Sequence, residues 1–130
     1  SADQRAISTL RAKGIDILDL RSRLLIPSDF DTYDFIFTMD ENNQSDVVKM
    51  ALKNNHTNFP EMIMNVAFPN ENISVPDPYY GGNIGFEEVY KMLDTATEIL
   101  IEAQKMFQKD TIEHKEIKYL LIEIDKNNKK

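Results

Sequence analysis

One stretch of the chain limits its fold more than any other. Asp34-Phe35-Ile36-Phe37-Thr38-Met39 is a short, nearly continuous apolar run with β-branched and aromatic content, bounded by acids. A helical pattern follows at once: Asp40 suits an N-cap, and Val47, Val48, Ala51 and Leu52 share one side of a helix over residues 41–53, ended by Asn54 and Asn55. A strand without polar alternation is buried on both faces, the condition of a parallel strand covered by helices. Parallel neighbours in turn require helical crossovers, so this strand and helix point to an α/β chain.

The remaining segments fill in that frame. Residues 3–13 read as a helix, with Ser1 and Gln4 as a capping box, Ala6, Ile7 and Leu10 at helical spacing, and Gly14 just past the end. Residues 15–26, closed by Pro27, read as a loop with a short extended piece, and Ser28 as the N-cap of a single turn around Phe30. Residues 62–68, stopped by Pro69, read as a second buried strand. Residues 69–85 hold three Pro and three Gly and read as a long shaped loop. From Phe86 onward, Val89, Tyr90, Leu93, Ala96, Leu100, Ala103 and Phe107 form one apolar stripe, the strongest helix of the sequence. Beyond residue 109 the pattern fits two structures: Ile112, Ile117, Leu121 and Ile124 mark a helix, while residues 117–124 read equally as a strand. The expected architecture is a parallel sheet with helices on both faces, a Rossmann-like three-layer arrangement. Two clear strands are too few for such a sheet, so members are missing from it.

Composition removes whole classes of function. With 130 residues, 42% of them hydrophobic, there is material for one core and not for two. No cysteine is present, which excludes disulfides, thiolate metal sites and any sulfur nucleophile from this chain. A net charge of −7 repels a phosphate backbone, so no nucleic-acid partner is expected. No apolar run approaches the roughly 20 residues of a membrane span, and no leader pattern opens the chain, so a soluble, cytoplasmic protein is expected. His56 and His114 have no metal-ligand spacing and read as exposed surface residues. Residues 40–51 mimic a calcium loop, but Ser45 and Ala51 stand where Gly and Glu are needed. No metal site and no cofactor are expected.

The most informative segment is Val75-Pro76-Asp77-Pro78-Tyr79-Tyr80-Gly81-Gly82. A carboxylate between two prolines sits on a backbone whose φ is fixed on either side, as a proton donor held over a pocket requires. Adjacent aromatics and glycines add a wall and a tight turn. On residue chemistry alone, a rigid surface turn fits the same pattern.

Four blocks, in order, give the chain a resemblance to the low-molecular-weight protein tyrosine phosphatase family. They are Arg5-Ala6 through Lys13-Gly14-Ile15-Asp16-Ile17, then Arg21-Ser22-Arg23, then Phe35 through Asn43, and last Val75 through Gly82 leading into Gly85-Phe86-Glu87-Glu88-Val89-Tyr90. The resemblance implies hydrolysis of phosphotyrosine proteins or small aryl phosphates through a cysteinyl-phosphate, without a cofactor. It implies that Asp77 is the general acid and base, that Tyr79 and Tyr80 line the substrate slot, and that Asp40 and Asn43 support the phosphate loop. It also implies a first strand and a C-x-x-x-x-x-R-[ST] loop that this sequence does not contain, so the fold reads as N-terminally incomplete and no nucleophile is present. Leu20 stands where members commonly carry a His of the network beneath that loop.

Residues 1–108 are therefore read as the phosphatase-like domain, and residues 109–130 as a tail of undetermined structure. The family places its first strand mid-sheet, beside residues 34–39. Loss of that strand leaves an apolar edge, so the isolated chain is expected to be marginally stable, to associate, or to need the missing half in trans. A second reading makes the chain a non-catalytic binding or regulatory pseudophosphatase, with residues 109–125 taking the vacant place. The fate of that tail separates the two.

Overall fold

The computed structural model describes residues 19–76, 85–109 and 117–122. Asp19–Arg23 forms strand β1, Asp29–Thr32 a helical turn α1, Phe35–Thr38 strand β2 and Glu41–Lys53 helix α2. Glu61–Met62 forms strand β3, which runs into a 3-10 turn at Ile63–Val66. Phe86–Lys109 is helix α3 and Lys118–Ile122 is strand β4. The helix expected over residues 3–13 lies outside the described residues.

All pairings are parallel, and the sheet order is β1-β4-β2-β3. Strand period explains the two cores. Ile36, Leu120 and Ile122 point to one face, where Val47 and Ala51 of α2 meet them together with Phe30. Phe37, Tyr119 and Leu121 point to the other, where Val89, Leu93 and Ala96 of α3 pack with Ile63 and Met64. The chain is thus an α/β protein with helices on both faces of a parallel sheet.

Strand β4 decides the tail. Tyr119, Leu120, Leu121 and Ile122 are all buried, a four-residue apolar run that only a central strand can cover on both faces. Burying each of these large side chains is worth roughly 1.5–3 kcal/mol. Asp34 sets the register with β2, because its N–H donates to the Lys118 carbonyl at 2.9 Å while its Oδ2 accepts the Lys118 N–H at 2.8 Å.

Several expectations need correction. Among the described residues the sheet has four strands: the extended piece within residues 15–26 is β1, and the strand alternative for residues 117–124 holds as β4, which lies between β1 and β2. The apolar edge expected beside residues 34–39 is therefore covered, with Phe35–Tyr119, Ile36–Leu120 and Phe37–Leu121 in register. Residues 62–68 are not a strand beyond Met62. The 3-10 turn brings neighbouring Ile63 and Met64 into the same cluster under α3, whereas a strand would send them to opposite faces. Ser28 makes no side-chain cap; its backbone is already helical (φ −66°, ψ −14°), and its carbonyl accepts the Asp31 and Thr32 amides. His56 is half-buried rather than exposed, stacked on Phe30 at 4.8 Å and 3.8 Å from Asp31.

Candidate active site

The C-terminal ends of parallel strands are where open α/β sheets bind ligands. At this end of β2, Asp40 closes the strand and opens α2. Its backbone is extended (φ −142°, ψ 175°) and Oδ1 accepts the Asn43 N–H at 2.8 Å, satisfying one of the helix's unpaired first-turn amides. The Asp40 carboxylate also complements the positive end of the helix dipole.

Asn43, one turn on, is half-buried. Its Oδ1 is fully buried and has no hydrogen-bond partner among the described residues. An unsatisfied buried acceptor costs about 1–3 kcal/mol, so Asn43 is held short of a donor. Gln44 beside it links β2 to the residue before β3: Oε1 accepts from the buried Thr38 hydroxyl at 2.7 Å, and Nε2 donates to the Pro60 carbonyl at 2.8 Å.

The loop that leads to Asp77 arrives at the same place. The Val75 N–H donates to the Met39 carbonyl at 2.8 Å, which ties Val75 to the residue preceding Asp40. Upstream, Asn65 holds the loop's base, since its Nδ2 donates to Asn72 Oδ1 at 2.9 Å and its Oδ1 accepts the Asn72 N–H at 2.9 Å. Asn65 Nδ2 also donates to Glu61 Oε1. Asn70 (φ 64°) and Asn72 (φ 53°) take left-handed conformations that Asn tolerates better than most residues, and so turn the loop.

Of the residues singled out from sequence, Asp40 and Asn43 thus come together at the end of β2 with the start of the loop. Asp77, Tyr79 and Tyr80 lie outside the described residues. Leu20 lies in β1, paired with Tyr119 of β4. Gln44, Asn65 and Asn72 were not singled out. Among the described residues, no group of three or more His, Asp or Glu side chains is placed to hold a metal ion, and no helix is long and apolar enough to cross a membrane.

The family model described as low molecular weight phosphotyrosine protein phosphatase matches residues 1–115. The chain is similar to the low molecular weight phosphotyrosine protein phosphatase of Sus scrofa, 33% identical over 91 residues, covering 70% of this chain and 57% of that protein. It is similar to low molecular weight phosphotyrosine protein phosphatase 1 of Drosophila melanogaster, 36% identical over 91 residues, covering 69% of this chain and 57% of that protein. The Schizosaccharomyces pombe protein of the same description is 33% identical over 91 residues, with 70% and 57% covered. The chain therefore spans less than two thirds of the length of these curated relatives. No solved structure matches it. The family match over residues 1–115 means that the chain belongs to the low-molecular-weight phosphotyrosine protein phosphatase family.

Proposed function

We propose that the chain carries the proton-transfer and substrate-wall side of a phosphotyrosine monoester hydrolase and does not itself supply the nucleophile. In the reaction this implies, a thiolate attacks phosphorus and the bond to the phenolic oxygen breaks. Asp77 gives its proton to the departing phenolate, then takes one from the water that releases phosphate from the cysteinyl-phosphate. Tyr79 and Tyr80 pack on the aromatic ring of a phosphotyrosine protein or small aryl phosphate. The 130 residues contain no cysteine, so the covalent step needs a thiol from elsewhere and this chain alone is inactive. A cytoplasmic location accompanies this reading.

One observation carries the reading: the hydrogen bond from the Val75 N–H to the Met39 carbonyl ties the chain, two residues before Asp77, to the Asp40 end of β2. The unpaired Asn43 Oδ1 supports a role for Asn43, with Asp40, in bracing a neighbouring loop through a backbone amide. The test is hydrolysis of p-nitrophenyl phosphate by the purified chain. No turnover is expected; turnover that Asp77→Asn abolishes contradicts the proposal.

A second reading, the non-catalytic pseudophosphatase module, is favoured by β4. Lys118–Ile122 lies beside β2, where the resemblance puts the family's first strand, so the sheet is closed by this chain's own residues. That reading expects a monomer with a single cooperative melt. Self-association driven by an open strand edge counts against it.

A further inference from the structure

We draw no further inference here: the strongest candidate, the apolar groove between the sheet and the second half of α3 that is lined by Phe35, Phe37 and Tyr119, carries nothing because no feature of the structure shows what covers it.

Discussion

The two ends of β2 are built on different principles. At the C-terminal end, Thr38, Met39 and Asp40 are tied by hydrogen bonds to Gln44, Val75 and Asn43, so polar contacts with small tolerances set the geometry. At the N-terminal end, Asp34 pins the register to Lys118, and the next residue, Phe35, opens onto an apolar groove. The first end is fixed by directional polar contacts; the second presents apolar area. Both depend on β4, which pairs with β2 across Phe35, Ile36 and Phe37.

That shared dependence ranks the substitutions. Leu120→Asp places a charge at a fully buried position of the central strand and is expected to cost more than about 4 kcal/mol, abolishing cooperative folding by circular dichroism and so removing both ends together. Asp40→Ala removes a helix cap and acts on the polar end alone, at about 1–2 kcal/mol, with Asp40→Asn restoring most of it in a thermal melt.

Tyr119 gives the groove end a signature in pH. Burial, and then the Asp34 carboxylate, hold its phenol above the ordinary value of 10.0. The folded chain therefore keeps this proton to higher pH than the unfolded chain does. The stabilisation is whole below about pH 10 and is lost as pH rises from there toward the folded value. Denaturant melts above pH 10 are expected to show this loss in the native chain and not in Tyr119→Phe. The smallest effect is expected for Phe35→Ser, below about 1 kcal/mol, since half of the side chain already meets water and only its cross-strand stacking on Tyr119 is lost.

Features encoded over a few residues were legible in the sequence. Asp40 and α2 depend on a carboxylate three residues from the amide it accepts, and the helix spans Glu41–Lys53 as its pattern indicates. The 62–68 run was not, because so short a segment, apolar but for Asn65, has no periodicity to separate a strand from a 3-10 turn. Its path accompanies a side-chain clamp between Asn65 and Asn72, seven residues apart, and left-handed turns at Asn70 and Asn72. The place of β4 was beyond any local reading, since Asp34 meets Lys118 across 84 positions. Gln44 left one usable signal: Thr38 is the single hydroxyl in an otherwise buried apolar run and needs a partner one helical turn into α2. Of the candidate site, Asp40 and Asn43 are joined by the helix-cap hydrogen bond at the end of β2, while Asp77, Tyr79 and Tyr80 lie outside the described residues.

The central claim is that this family sheet is closed from within by residues 118–122. Native-state amide hydrogen exchange tests it most directly. The account predicts that the Leu120 and Leu121 amides exchange only through global unfolding, as slowly as those of Ile36 and Phe37. Exchange of the two leucines through local opening, while β2 remains protected, contradicts it.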